Sequence, residues 1–190
     1  MIRINTQRLG LICGLLLAMP AWLSTAPAHA TSFEKTATEE EQRIMRRILP
    51  GAETFSRKEG TLPHYKAFAV DPATKKRVQV GFVFLTTDIE PTEIAYAGPV
   101  RVLVGMTTGG LIRGIRIREH REPFGSFSID TKEFVEQFDD KKVTDPFEIG
   151  TDIDGITRAT ITVESTARVI RKSARKIMQQ YLQELQSKKK

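Results

Sequence analysis

Two pairs of short apolar segments, each joined by a brief polar loop, most limit how this chain can fold. The predicted strands are residues 65–70 with 77–85, and residues 101–106 with 111–118. The joining loops are too short for a crossover helix, so each pair is antiparallel. In the second pair, Ile115 and Ile117 alternate with arginines, which predicts one buried face and one wetted face. In the first pair, the residues expected to share one face are Val78, Val80, Phe82 and Phe84.

Helices are predicted on both sides of these hairpins. Thr38 and Glu41 have the spacing of a capping box, and Pro50-Gly51 ends the helix that follows. A short helix is expected over residues 131–138. Residues 163–185 carry apolar side chains at three- and four-residue steps, as in an amphipathic helix. The predicted fold class is therefore α+β, an antiparallel sheet built from hairpins, packed against an N-terminal helix and a long C-terminal helix.

Residues 1–30 have the features of an export signal. Arg3 and Arg8 precede an apolar run, and Ala28-His29-Ala30 has the small residues of a cleavage site. We expect a cleaved signal and a periplasmic protein; an uncleaved membrane anchor is the alternative. The predicted divisions are a signal at 1–30, an extension with a helix at 31–60, the principal domain at 61–187 and a basic tail at 188–190.

The residue types left after such cleavage exclude several kinds of redox site. The single cysteine, Cys13, lies within residues 1–30, so the remainder cannot hold a disulfide, a cysteine-attached haem or a cysteine-held iron–sulfur cluster. Only His64 and His120 remain as histidines, and no metal site is predicted. Loss of the segment's two arginines lowers the net charge from +6 to +4. That charge suits an anionic cofactor and does not argue for nucleic acid.

The segment 154–160, Asp-Gly-Ile-Thr-Arg-Ala-Thr, comes just before the long C-terminal helix. Asp154-Gly155 is a turn dipeptide. The N-terminus of a helix offers unpaired N–H groups and a partial positive charge, both of which favour phosphate. Thr160 is therefore a candidate for carrying or contacting a phosphate group. The alternative is a plain turn in which Thr160 or Thr162 is the N-cap of the helix.

This segment resembles the flavinylation motif of the FMN-binding domain family, in which the last threonine receives FMN through a phosphoester bond. The resemblance implies that Thr160 carries covalent FMN, and that a separate exported flavin transferase attaches it from FAD. Asp154, Gly155, Thr157 and Ala159 would be read by the transferase or would shape the turn; Thr162 is counted with the cofactor-binding residues. The family more often has glycine where this chain has Arg158.

A second block carries the same resemblance, which extends over residues 96–176. Members often have a Gly-Pro, a Val-x-Val-Gly strand, a glycine turn and then Glu-His-x-Glu followed by Pro and Gly. Here His120 and Glu122 precede Pro123-Phe124-Gly125. Both are expected to bind the cofactor, with Phe124 or Phe127 stacking on its ring. Alternatively, His120 is an ordinary loop histidine and Glu122 pairs with a neighbouring arginine.

The resemblance implies an exported flavoprotein that relays electrons in a respiratory or other redox chain. Its relatives are the C subunit of the sodium-pumping NADH:quinone reductase, the G subunit of the Rnf complex and exported domains of the NosR type. Redox partners would be membrane-bound or periplasmic proteins. No nucleophile–base pair is apparent, so no catalytic residue is predicted. Two alternatives stay open: a flavin-dependent reductase with its own small substrate, and a non-redox regulatory or binding module of the same fold.

Overall fold

Five antiparallel strands form one sheet in which the strand order follows the chain. The computed structural model describes residues 37–188; the predicted export signal and the last two residues of the basic tail lie outside them. The strands are β1 (Thr54–Phe55), β2 (His64–Val70), β3 (Arg77–Leu85), β4 (Arg101–Thr107) and β5 (Ile112–Glu119). Both predicted hairpins are confirmed, since β2 pairs with β3 and β4 pairs with β5 in antiparallel register.

The helices lie before, between and after the hairpins. Their bounds are α1 (Glu39–Ile48), α2 (Thr86–Ile89), α3 (Lys132–Glu136) and α4 (Thr160–Ser187), with a single 3₁₀ turn at Gly125–Phe127. The capping box of α1 is formed, because Glu41 N–H donates to Thr38 Oγ1 and Thr38 N–H donates to Glu41 Oε2. The α+β prediction, with an N-terminal and a long C-terminal helix, is confirmed. Among the described helices, none is both long enough and apolar enough to cross a bilayer.

The sheet has an apolar cluster on each face. On the first face, α4 packs its apolar stripe against β3, β4 and β5, and Phe134 and Phe138 from the α3 region complete that core. On the second face, Met45, Ile48 and Leu49 at the end of α1 pack on Val83 and Leu103. Burial on both faces fixes the sheet between α1 and α4, so the N-terminus of α4 is held rigidly against the main core.

The first hairpin contains a β-bulge that the sequence pattern does not reveal. The register shifts between Ala67 and Phe68 of β2, which leaves Val80 of β3 as the extra residue. Because a bulge interrupts the alternation of side chains, Val80 packs in the second cluster, while Val78 is 40% exposed. The prediction that these two valines share a face with the two phenylalanines of β3 is therefore wrong.

Two paired glycines let the end of α1 lie directly on the sheet. A Cβ on Gly105 of β4 would lie 2.5 Å from the carbonyl oxygen of Ile48, and one on Gly114 of β5 would lie 3.0 Å from it. These distances leave no room for a side chain between helix and sheet. The close approach brings Met45 and Leu49, each 1% exposed, into the second cluster.

Replacement of Gly105 by alanine is expected to lower the free energy of unfolding by about 2 kcal/mol, because the new methyl group overpacks against the backbone of α1. Urea denaturation of the full chain measures the change. Gly109→Ala is the matched control, since its Cβ would meet nothing closer than Thr107 Oγ1 at 3.7 Å. Equal stabilities of the two variants would contradict the close contact between α1 and β4.

Candidate functional site

The helix that follows the segment 154–160 begins at Thr160 itself, three residues earlier than predicted. Its N-cap is Ala159, which has no side-chain oxygen and makes no capping hydrogen bond. The alternative in which Thr160 or Thr162 is the N-cap is therefore wrong. Because no side chain caps this end of α4, the N–H groups of the first turn remain available to an anion.

Thr160 lies at the surface with its hydroxyl free of the fold. Its side chain is exposed, and within residues 37–188 its Oγ1 forms no hydrogen bond. It borders two open clefts, one on each side of the start of α4. An enzyme acting on this hydroxyl would therefore reach it without unfolding any element.

The cleft on one side of Thr160 is walled largely by apolar and aromatic groups. It has a volume of about 370 Å³, within the range of small-ligand sites. Its lining residues are Tyr96, Pro123, Phe124, Arg158, Ala159, Thr160, Ile161 and Thr162. Tyr96 is 68% exposed, Ile161 57% and Phe124 49%. Large apolar side chains left in contact with water around one cleft indicate a binding surface, and these suit a flat aromatic ring.

Tyr96 is held at this cleft by a buried carboxyl group. Glu122 is 6% exposed, and it accepts hydrogen bonds from the Ala97 N–H at 2.8 Å and from the Thr162 hydroxyl. The carboxyl group thereby joins the loop that carries Tyr96 to the first turn of α4. The alternative pairing of Glu122 with a neighbouring arginine is not what the structure has. Contact of Glu122 or Thr162 with a cofactor stays a prediction.

His120 stabilises the loop that carries Glu122. Its Nδ1 accepts the Glu122 N–H at 3.1 Å, and its Nε2 lies 3.0 Å from Asp130 Oδ2. Both contacts are satisfied at once by the tautomer that carries its hydrogen on Nε2. The ring also packs on the backbone of Gly125, where a Cβ would lie 2.0 Å from His120 Cε1. These contacts give His120 a structural role in the 120–125 loop, and a direct cofactor contact stays a prediction.

The other predicted residues of the motif lie within six positions of Thr160 along the chain. Asp154, Gly155 and Thr157 are exposed, and Ala159 is 4% exposed beneath the cleft. The Asp154 N–H donates to Gln137 Oε1 at 2.6 Å, which ties the segment to the end of α3. Phe124 lines the cleft, whereas Phe127 is 76% exposed outside its lining. Exposure of the three motif residues leaves them open to recognition by another protein.

A carboxylate outside the motif fixes the start of this segment. Asp152 accepts the N–H groups of Glu148 at 2.8 Å and Phe147 at 3.1 Å, and it pairs with Lys141 at 3.0 Å. Burial opposes its ionisation, but these donors and the ammonium group outweigh burial and hold the pKa of Asp152 below its ordinary value. The same contacts stabilise Phe147 at φ +54°, an uncommon conformation for a bulky residue.

Basic residues of α4 are used to hold the helix in place. Arg168 and Lys172 donate to the two oxygens of Glu93, each at 2.6 Å. Burial disfavours the Glu93 carboxylate, but the two cations more than offset that effect and lower its pKa. Glu93 precedes the turn that carries Tyr96, so this ion pair fixes the second end of the aromatic wall. No group of three metal-ligating side chains occurs in residues 37–188.

Arg158 adopts a backbone conformation that favours glycine. Its φ is +72°, in the left-handed region that costs a residue with a Cβ free energy relative to glycine. This conformation gives a structural reason for the glycine that the family more often has at this position. This chain has arginine there instead. Sequence reasoning did not select Arg158, Tyr96 or Ile161 as site residues. The signal for Tyr96 was its place directly before Ala97-Gly98-Pro99, at the start of the second resembling block.

The comparison with known families gives one match over this region. Residues 95–175 match the family model described as the FMN-binding domain, and this part of the chain belongs to the FMN-binding domain family. The match extends from the loop of Tyr96 to the middle of α4, so it contains the aromatic cleft, Glu122 and Thr160. The chain accordingly contains an FMN-binding domain. No curated protein matches it.

Proposed function

We propose that the protein is an exported flavoprotein that carries FMN covalently on Thr160 and relays electrons in a respiratory or other redox chain. The observation that carries this proposal is the exposed, unpartnered hydroxyl of Thr160 at an uncapped helix N-terminus, beside a cleft with aromatic walls. FMN, when bound, supplies one- and two-electron redox chemistry. The residues of the chain supply attachment, position and electrostatics.

Attachment follows from the chemistry of a free hydroxyl. In the proposed transfer from FAD, Thr160 Oγ1 forms a bond to the phosphorus of the FMN half, and the bond from that phosphorus to the bridging oxygen breaks. AMP leaves with the bridging oxygen, and the hydroxyl proton is released. Among residues 37–188 no base is hydrogen-bonded to Thr160, and we therefore assign the step to a separate flavin transferase. The exposed Asp154, Gly155 and Thr157 are the residues such an enzyme would read.

Two features of the chain would hold the cofactor. The free N–H groups at the start of α4 suit its phosphate, and Tyr96, Phe124 and Ile161 present apolar surface for its ring. Glu122 and His120 keep the two loops in place behind that surface. Each of these groups would either bind the cofactor or hold a binding group in position.

An electron carrier is favoured over a reductase with its own substrate. The cleft beside Thr160 is open, and its aromatic residues are about half exposed or more. An open cleft suits exchange of electrons with a partner protein, since the partner must approach the ring closely. A reductase would need a second enclosed space with converging polar groups beside the ring. The redox partners of the electron carrier would be periplasmic or membrane-bound, because residues 1–30 have the form of an export signal.

Intact-mass spectrometry of the full chain, produced together with a flavin transferase in an exporting host, tests the proposal. The wild-type protein is expected to gain the mass of one FMN less one water, and Thr160→Ala is expected to gain nothing. Thr151→Ala is the matched control, because Thr151 is an exposed threonine of the same loop outside the motif; it is expected to be loaded fully. The same spectrum reports cleavage after Ala30.

The three outcomes separate the parts of the proposal. A mass gain that persists in Thr160→Ala would place the flavin elsewhere. Absence of any gain in the wild type, with an active transferase, would favour the non-redox module. A flavin-loaded chain whose mass still includes residues 1–30 would support the electron carrier. It would also mean that these residues are an uncleaved anchor and not a cleaved signal.

A further inference from the structure

Arg158 stands in a backbone conformation that a glycine would adopt more easily. Its φ of +72° lies where a side chain crowds the backbone. Unfavourable backbone conformations cluster at functional sites, and of the four non-glycine residues with positive φ among residues 37–188, Arg158 is the one that lines the cleft at Thr160. The feature to explain is therefore the side chain, since the backbone alone would be served better by glycine.

The guanidinium group of Arg158 has no partner within residues 37–188. The arginines of the neighbouring helix all do: Arg168 binds Glu93, Arg171 binds Glu148, and Arg175 binds the carbonyl oxygens of Val143 and Asp145. Arg158 is exposed and takes part in no ion pair or hydrogen bond of that part of the chain. Within that part of the chain, the guanidinium of Arg158 is therefore free to bind a ligand.

The surroundings of Arg158 are positive. It lines the same cleft as Thr160, two residues away along the chain. None of the described residues lining that cleft carries a carboxyl group, and Glu122 behind it is already engaged with Ala97 and Thr162. The positive end of the α4 dipole adds to the charge of the guanidinium. On the side of this cleft, an anion at the hydroxyl of Thr160 would meet these two favourable groups. Glu148 and Glu164 line the other cleft beside Thr160, where Arg168 and Arg171 accompany them.

We propose that Arg158 binds the phosphate of the FMN ester on Thr160 and thereby restricts the orientation of the flavin over the cleft. This inference rests on the proposed function. A guanidinium matches the geometry of phosphate oxygens with two parallel donors, which gives direction as well as attraction. A glycine at this position has no side chain that could make this contact, so we assign Arg158 as a positioning residue. It accounts for the retention of a strained backbone beside the attachment point.

Phosphorus NMR of the flavin-loaded full chain tests the contact directly. The phosphodiester signal is expected to shift between wild type and Arg158→Gln, and to shift equally in Arg158→Gly. Arg158→Lys keeps the charge and should give an intermediate position. Arg116→Gln is the matched control, because Arg116 is an exposed arginine of β5 remote in sequence from the motif; its signal should coincide with that of the wild type.

Two further readouts separate positioning from folding. Flavin fluorescence anisotropy is expected to fall in Arg158→Gln and Arg158→Gly, since the ring becomes freer to turn on its tether. The unloaded Arg158→Gly protein is expected to melt at a higher temperature than the wild type, because the backbone strain is relieved. A lower melting temperature would assign Arg158 to the fold and overturn the inference.

Failure of this inference is distinct from failure of the proposed function. If the wild-type protein shows no flavin by mass, the proposed function fails first. If the wild type is loaded and the phosphorus signals of wild type and Arg158→Gln coincide, only the role of Arg158 fails. A screened interaction would also weaken with salt, so the difference between wild type and Arg158→Gln should shrink as ionic strength rises.

Discussion

Replacement of Glu122 by alanine is expected to lower the free energy of unfolding by about 2 kcal/mol, because the buried Thr162 hydroxyl and the N–H of the exposed Ala97 lose their acceptor together. The Ala97 N–H and the Thr162 hydroxyl both donate hydrogen bonds to this carboxyl group. Glu122 is 6% exposed. The loop carrying Tyr96 would then separate from the start of α4. Urea denaturation gives the stability, and hydrogen exchange of the Ala97 amide reports the separation of this loop from α4.

Glu122→Gln is the matched variant for this site. Its amide oxygen can still accept the Ala97 N–H, and its amide nitrogen can donate to the hydroxyl oxygen of Thr162. We expect it to retain most of the stability, within about 1 kcal/mol of the wild type. Equal losses in the alanine and glutamine variants would mean that the charge of Glu122, rather than its two hydrogen bonds, holds the loop.

Replacement of Asp152 by alanine is expected to cost about 3 kcal/mol and to release the loop that leads to Thr160. Asp152 accepts two backbone N–H groups and pairs with Lys141, and both side chains are less than one fifth exposed, at 17% and 14%. Removing the carboxylate leaves the mostly buried Lys141 ammonium without its partner. Hydrogen exchange of the Phe147 and Glu148 amides should quicken before that of the strands.

The contribution of Asp152 also has a defined pH dependence. Its pKa is lowered in the folded protein from an unfolded value near 3.8, so the folded state favours the ionised form. This stabilisation is fully present above pH 3.8 and is lost as pH falls through the lower, folded pKa. Asp152→Asn keeps an acceptor oxygen without the charge, and its stability should therefore fall less steeply in acid. Identical acid profiles would contradict the ion pair with Lys141.

Elements with a strong local pattern could be predicted from the sequence. The hairpins follow from alternating apolar residues around short loops, α1 from its capping box, and α4 from its apolar stripe. The β-bulge at Val80 could not be predicted, because it depends on the register of β2 against β3. The early start of α4 was missed since Ala159, a poor capping residue, serves as its N-cap.

The site could be predicted only as far as residue types along the chain reveal it. The segment 154–160 pointed to Thr160, and the structure leaves that hydroxyl exposed. The hydrogen bond between Glu122 and Thr162 joins residues 40 positions apart, a pairing that a single sequence does not contain. The contacts of Asp152 and the free guanidinium of Arg158 likewise depend on which residues the fold brings close to them. Local sequence identifies the attachment candidate, and tertiary packing identifies what holds it.

The free hydroxyl of Thr160 has a consequence for the order of events in maturation. A group added to an oxygen that serves no hydrogen bond of the described residues breaks none of their contacts, and α4 needs no side-chain cap that the addition would remove. Residues 37–188 can therefore reach their final arrangement before any modifying enzyme acts. The apo and holo forms would share one architecture, and prosthetic-group loading would be a late surface event rather than a step in folding.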